Sequence, residues 1–449
     1  GRAEEAVGVL EGALRAASGL AAAWSALGVA FEHLERDEEA ATAYRRAAAL
    51  DPADPAPHAG LGEIARRAGR LEAAAAAAGE ALARRRGHPM AGLILARTRL
   101  AQGRAEAALS AAEALVIRGG LDPALEPLAL KTLGDALDRL DRTGEAERAY
   151  ERMNLAIVAQ NQARFGPGGP VENHFAFMER LGRAYRAGAA AFARPSVPPP
   201  QGALAGHVFV LGYPRSGNTL AAAVLGALPG AVVLEERPTL MDADLAFLKD
   251  EAALERLAGL DGAALDPFRA RYLARAAAFA GPLAGRILID MSPLNSLKIP
   301  LIKRLFPDAG LIHCVRDPLD VVLSCWRQSF RVNAATFQMT SIEGAARHLV
   351  QARALASLGA EVSEAKLFAL DYEALMDDFE GGARALVAAA GLSWSPEALD
   401  FAERAKARSL RTASAGQIQG GLYDGRGQWR RYARALEPAR EVLGKAGLL

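Results

Sequence analysis

Cysteine, metal-binding histidine and unbalanced charge are what this 449-residue chain has least of. Its two cysteines, Cys314 and Cys325, are too few for a disulfide framework and lack zinc-ligand spacing, which points to a reducing compartment. The seven histidines show no metal-binding spacing and no H-E-x-x-H run, so no metal site is expected. Lys and Arg number 53 against 52 Asp and Glu, giving a formal net charge of +1. Neither nucleic acid nor a charged membrane surface is therefore an expected partner, and any anion recognition has to be local. The longest uncharged run, Ser216 to Leu234, is divided by Gly226 and by Pro229-Gly230, which argues against a transmembrane helix. The chain opens on Gly1-Arg-Ala-Glu-Glu5, without an initiator Met or an apolar signal core, so further sequence upstream is expected. A cytoplasmic location is the expectation that remains.

What is present begins with a repeat of 34 residues in the N-terminal third. Trp24, Leu27, Gly28, Phe31, Ala40, Tyr44, Ala47 and Pro52 fall in the tetratricopeptide (TPR) pattern. The register recurs at Leu61, Gly62, Ala74 and Ala81, and again at Leu95, Ala96 and Ala108. After a four-residue insertion around Arg118-Gly-Gly120 it returns at Leu133, Gly134, Leu137, Ala146 and Tyr150. Ala6, Leu10 and Ala13 read as the second helix of an earlier, truncated repeat. Small residues at Gly28 or Ala40 let two helices approach while Trp24, Phe31 and Tyr44 fill the space between neighbours. Residues 1–155 are thus expected to form a TPR α-solenoid. Its groove would hold a protein or peptide partner, or the array would pack on the next domain or on a second copy; the oligomeric state is left open.

Residues 156–200 read as a helical connector ending in the stiff run Pro195-Ser-Val-Pro-Pro-Pro-Gln201. From 201 to 449, strands near Val208–Leu211, Val232–Val233, Ile287–Asp290, Leu311–Val315 and Leu367–Leu370 alternate with helical stretches. That alternation predicts an α/β domain with a mostly parallel sheet covered on both faces, so the whole chain is α plus α/β. Ligands of such sheets bind beyond the carboxyl ends of the strands, where Arg215, Glu235-Glu236, Met291 and Arg316 all fall.

The stretch Val208 to Leu220 runs from strand through a glycine-bounded turn into an alanine-rich helix, the build of a phosphate cradle. Its spacing, Gly212-x-x-x-x-Gly217-Asn218-Thr219, matches a nucleotide phosphate loop except that Asn218 replaces the lysine that reaches the terminal phosphates. The nearest cation is Arg215. Backbone N–H groups and a guanidinium would still hold an anion, but ATP is not the expected ligand.

Tyr213-Pro-Arg-Ser-Gly-Asn-Thr219 resembles the 5′-phosphosulfate loop of sulfotransferases, and Leu311 to Ser324 resembles their 3′-phosphate segment, with Arg316 and Ser324 eight positions apart. Thr412 to Gln417 and Gly427-Gln-Trp-Arg430 are similar to the tail of TPR-containing bacterial sulfotransferases, a branch that also resembles protein-tyrosine sulfotransferases. The resemblance implies a metal-free enzyme that takes 3′-phosphoadenosine-5′-phosphosulfate (PAPS) and releases 3′-phosphoadenosine-5′-phosphate (PAP). Arg215, Ser216, Gly217, Asn218 and Thr219 would hold the phosphosulfate end, with Arg215 also stabilising the departing phosphate. Arg316 and Ser324 would hold the 3′-phosphate, and Tyr372 and Ser414 align with donor-contacting positions. A hydroxyl acceptor needs a base, since a phenol titrates near a pKa of about 10. Glu236, 21 positions after Arg215, matches the glutamate that tyrosine sulfotransferases use, with Glu235 as its rival. Asp317 before Pro318 reads as a helix cap.

Two positions depart from the family. Met291 stands where relatives carry a lysine beside the leaving oxygen, and Gln428 stands where they carry Arg or Lys. Either Arg215 acts alone at the first position, Lys298 reaches in, or turnover is impaired; Arg426 or Arg430 would compensate at the second. The expected function is sulfuryl transfer to a hydroxyl, with a protein or peptide tyrosine presented by the TPR array as the acceptor. The alternatives are a TPR scaffold with a nucleotide-binding but impaired domain, and sulfation of a small molecule or carbohydrate.

Overall fold

The computed structural model describes residues 2–194, 204–403 and 421–449. The chain divides into two compact units, Gly1–Gln160 and Asn161–Leu449, and each carries its own core.

The first unit is helical throughout: α1 (Arg2–Ala16), α2 (Ala21–His33), α3 (Asp37–Leu50), α4 (Pro55–Arg67), α5 (Leu71–Arg84), α6 (Pro89–Ala101), α7 (Ala105–Arg118), α8 (Glu126–Arg139) and α9 (Thr143–Phe165). Its boundaries have local causes. Asp54 caps α4 by accepting from the Ala56 N–H, with Pro55 in the first turn, and three acidic residues open α3. Gly119 and Gly120, both at positive φ, absorb the insertion that interrupts the repeat. The helices pair as α2/α3, α4/α5 and α6/α7, and the first helices α2, α4, α6 and α8 also pack on one another in sequence. A Cβ at Gly28 would lie 2.6 Å from the ring of Tyr44, and one at Gly60 would also strike that ring. Two glycines from successive repeats thus clasp one buried aromatic, whose hydroxyl donates to Glu32 Oε2 at 2.6 Å. Gly134 and Tyr150 repeat the contact in the last hairpin, with the Tyr150 hydroxyl donating to Asp135 Oδ1 at 3.0 Å.

The second unit begins before the proline run. Whereas the repeat pattern fades near residue 155, α9 continues to Phe165 and stops at Gly166-Pro-Gly-Gly169. The next helix, α10 (His174–Ala187), packs against the helix Ile342–Val362, and its buried Tyr185 hydroxyl donates to the Leu297 carbonyl at 2.9 Å. The run Pro195 to Gln201 lies outside the described residues.

The sheet of this unit comprises β1 (Gly206–Gly212), β2 (Ala231–Glu235), β3 (Ile287–Met291), β4 (Gly310–Val315) and β5 (Leu367–Asp371). All neighbours are parallel, in the order β2-β3-β1-β4-β5. Each of the five expected strands is present. One face buries Val208, Val210, Ile289, Met291 and Ile312 against the helices Asn218–Gly226 and Phe379–Ala389. On the other face Phe209 packs with Tyr272 and Phe306. Chain progression reverses at β1, so the loop following it opens at the switch point of the sheet.

Candidate active site

The phosphate-type loop, residues 213–217, leaves β1 in a tight turn. Gly212 lies so close to β4 that a Cβ would come within 2.7 Å of both the Cys314 carbonyl and Asn218 Oδ1. Gly217 caps the following helix at φ +99, and a Cβ there would meet the Tyr372 ring at 3.0 Å. Asn218, which replaces the usual lysine, is buried and donates through Nδ2 to the Tyr213 carbonyl at 2.8 Å. Its side-chain nitrogen therefore closes the loop, while among the described residues its Oδ1 is buried without a partner. Ser296 donates to the Gly212 carbonyl at 2.9 Å and braces the same turn. The Ser216 hydroxyl is buried with no hydrogen-bond partner among the described residues. A small cavity under the loop is lined by Tyr213, Ser216, Ser296, His313 and Arg353.

The two anion motifs converge. Arg215, held at a positive φ of 69°, donates through Nε to Ser324 Oγ at 2.9 Å. Arg316 donates through Nη1 to the Arg215 carbonyl at 3.1 Å, and its guanidinium lies 4.5 Å from the centre of the Tyr372 ring. Among the described residues the Arg316 Nε is buried without a partner. An unsatisfied hydroxyl beside Arg215 in the chain and an unsatisfied N–H on the guanidinium bonded to the Arg215 carbonyl are donors of the kind an anion satisfies. Thr219 is buried in the first turn of the loop's helix. As expected, Asp317 caps the helix Pro318–Trp326, accepting from the Asp320 N–H at 2.9 Å.

Residues 421–430, from which Arg426 or Arg430 was expected to serve at the 3′-phosphate, form a strap whose backbone meets Arg316, Tyr372 and Asp320. The Gly425 carbonyl accepts from Arg316 Nη2 at 2.5 Å, and the Tyr372 hydroxyl donates to the Tyr423 carbonyl at 3.0 Å. Asp320 accepts from the Gly427 and Trp429 N–H groups at 2.7 and 3.0 Å. Of the residues considered as substitutes at Gln428, Arg426 is held by Asp424 and Asp377, and Arg430 lies over the Trp429 ring at 5.3 Å. Ser414 lies outside the described residues. Trp326 is a core residue, 3% exposed.

Glu236 is the first residue past β2, whereas Glu235 is the last residue of the strand. A positive φ of 50° turns Glu236 out, and its N–H donates to the Met291 carbonyl at 2.7 Å. The residue is exposed by area, yet protein crowds its carboxylate. That desolvation pushes its pKa above the ordinary glutamate value, and the Arg215 charge pulls it partly back. The turn is pinned a second time where Thr239 Oγ1 donates to Asp290 Oδ2 at 2.6 Å. Tyr272 also donates to that oxygen at 2.8 Å, and burial raises the Asp290 pKa to about 6 against those two hydrogen bonds.

Met291 is fully buried in the apolar cluster that contains Val210, Cys314 and Tyr372. Lys298, the alternative cation, pairs its ammonium with Asp244 Oδ2 at 2.6 Å. A cation missed by motif reading is Arg353, whose Nη2 donates to the Arg316 carbonyl at 2.7 Å. His348 was equally invisible. It joins the Tyr213 hydroxyl and His174, each at 2.8 Å, and burial lowers the His348 pKa to about 3, so it braces the loop as a neutral group.

Comparison with known proteins places names beside these features. The Sulfotransferase family profile matches residues 207–396, and the tetratricopeptide repeat profile matches residues 21–54. An uncharacterized protein of Aquifex aeolicus is 28% identical over 246 residues, covering 53% of this chain. The match spans 32% of that relative's length. Among solved structures, the sulfotransferase domain of the Synechococcus PCC 7002 olefin synthase is 20% identical, covering 55% of this chain and 97% of that one, with a TM-score of 0.37. A retinol dehydratase in complex with androsterone and the inactive cofactor PAP is 17% identical, covering 59% and 86%, with a TM-score of 0.29.

Proposed function

We propose that this chain, which joins a TPR array to a sulfotransferase-family domain, moves a sulfuryl group from PAPS to the hydroxyl of a protein or peptide tyrosine. The observation that carries the reading is the meeting of the two anion motifs, Arg316 to the Arg215 carbonyl and Arg215 to Ser324, at the switch point of the sheet. A donor with anionic groups on both the 3′ and the 5′ oxygen of its ribose accounts for two such motifs; an ordinary phosphate-loop ligand needs one.

In this reading Arg215, the N–H groups from Gly217 to Thr219 and the Ser216 hydroxyl hold the phosphosulfate end. Arg316 and Ser324, with Tyr372 beneath Arg316, hold the 3′-phosphate. Glu236 takes the proton of the acceptor hydroxyl as its oxygen bonds to sulfur. The bond from sulfur to the bridging oxygen breaks, and the charge left on the 5′-phosphate is met by Arg215. The raised pKa of Glu236 suits the role, because a base closer in pKa to the phenol makes proton transfer less uphill. The TPR unit would present the acceptor. Its layer of first helices carries charges already paired with one another, among them Glu32 with Arg67 and Glu63 with Arg66. Both cysteines are buried and free, which fits a cytoplasmic setting.

The buried Met291 favours a second reading, a TPR scaffold whose domain binds nucleotide and turns over poorly. The purified full chain, incubated with labelled PAPS and a tyrosine peptide library, separates the two. The first reading expects labelled peptide, and a loss of about a hundredfold or more in Glu236→Gln with PAP affinity unchanged. Full activity in Glu236→Gln would remove Glu236 as the base. PAP binding without transfer to any acceptor would leave the scaffold.

A further inference from the structure

The peptide unit that joins Arg316 to Asp317 is gripped at both ends. Its carbonyl accepts from Arg353 Nη2 at 2.7 Å, and its N–H donates to Glu373 Oε1 at 3.0 Å. A cation stands at the negative end of that peptide dipole and a carboxylate at the positive end, so both hydrogen bonds are charge-assisted. The two side chains come from separate elements, Arg353 from the helix Ile342–Val362 and Glu373 from the helix Tyr372–Asp377. Both are partly buried, where such bonds are least screened.

The clasped peptide lies where β4 ends and the helix Pro318–Trp326 begins. Its orientation therefore sets the direction in which Arg316 leaves the strand. The Arg316 guanidinium is otherwise held by carbonyl groups of two separate segments, Arg215 and Gly425, and by the Tyr372 face. The peptide clasp uses only main-chain atoms of Arg316 and Asp317 and makes no demand on the guanidinium nitrogens.

We propose that Arg353 and Glu373 are positioning residues that fix the 316–317 peptide and so aim Arg316 at the 3′-phosphate of the donor. The proposal rests on the PAPS reading above. Fixing a donor before the ligand arrives reduces the ordering cost of binding, and the gain falls on the ligand group that this donor meets. Loss of the clasp should therefore weaken nucleotides that carry a 3′-phosphate and spare those that lack one.

The test is calorimetric titration of the full chain with PAP and with 5′-AMP, which lacks the 3′-phosphate. Arg353→Met should weaken PAP about tenfold and 5′-AMP by less than about twofold, the scale of one charge-assisted hydrogen bond. Arg353→Lys, which keeps a charged donor, should recover most of the loss, and Glu373→Leu should reproduce it. In an Arg316→Met background, Arg353→Met should cost nothing further, since its effect passes through Arg316. Equal weakening of both nucleotides, or a full additional loss in the Arg316→Met background, overturns the clasp. Should Arg353→Met fail to fold, Arg353→Lys and Glu373→Leu carry the same comparison. Wild-type protein that binds PAP no better than 5′-AMP overturns the donor reading and this proposal together, whereas normal PAP preference with unselective variants overturns the clasp alone.

Discussion

At Glu236 the desolvation that raises the carboxyl pKa also sets how the rate should depend on acidity. The base acts deprotonated, so activity is lost as pH falls through its folded-state pKa. Because that value lies above the ordinary glutamate value, the acid limb of kcat/KM should fall at a higher pH than for a free carboxylate of pKa about 4.3. A profile of rate against pH checks this, and an acid limb at or below the free value would contradict the assignment. Met291 gives a second expectation. It is fully enclosed among apolar neighbours, so Met291→Lys must desolvate an ammonium there and should destabilise the second unit by about 2–4 kcal/mol, read by thermal unfolding. The capping role of Asp317 was legible in local sequence, and the strand topology placed Arg215 and Arg316 at one sheet edge, whereas Ser324 was singled out by resemblance alone. The closing role of Asn218 was not, because a lysine position gives no hint that its occupant turns back to the Tyr213 carbonyl. Arg353 and Glu373 were hidden for a related reason. Their partner is a single peptide unit far away in the chain, and no periodic or spaced pattern marks such a contact.

Among the elements, the hairpins α2/α3 and α8/α9 of the first unit owe their spacing to glycine set against tyrosine. Gly134 faces the Tyr150 ring, where a Cβ would come within 2.6 Å. Gly134→Ala should therefore overpack this hairpin and cost about 1–3 kcal/mol, despite alanine's better helix propensity. Circular dichroism melts would show it, and an unchanged or raised midpoint would mean the ring has room to move. The pairing was visible beforehand because both residues belong to one repeating pattern. All five strands were visible too, since each is a short apolar run bounded by turn residues. The end of α9 was less accessible: the repeat pattern stops near residue 155, but a helix continues until something breaks it, here Gly166-Pro-Gly-Gly169. The strap at 421–430 has no periodicity, so only the fold shows that it meets Arg316 and Tyr372.

On the scale of the whole molecule, two units with separate cores should unfold in two transitions. A ligand held by residues of one unit stabilises that unit alone, by about 2.7 kcal/mol at a hundredfold excess over Kd. Differential scanning calorimetry with saturating PAP should move one transition upward and leave the other in place; an equal shift of both would mean that the units unfold together. The parallel sheet also constrains the order in which the molecule is made. The central strand β1 pairs with β3 and β4, whose residues lie roughly 80 and 100 positions further along the chain. On the ribosome, the helical repeats can close from near neighbours as they emerge, while Val208 to Gly212 must wait for Gly310 to Cys314 before their second edge is covered. Until then the nascent chain carries an apolar strand with an open flank, and the interval before β4 emerges is when that flank is most exposed to wrong pairing.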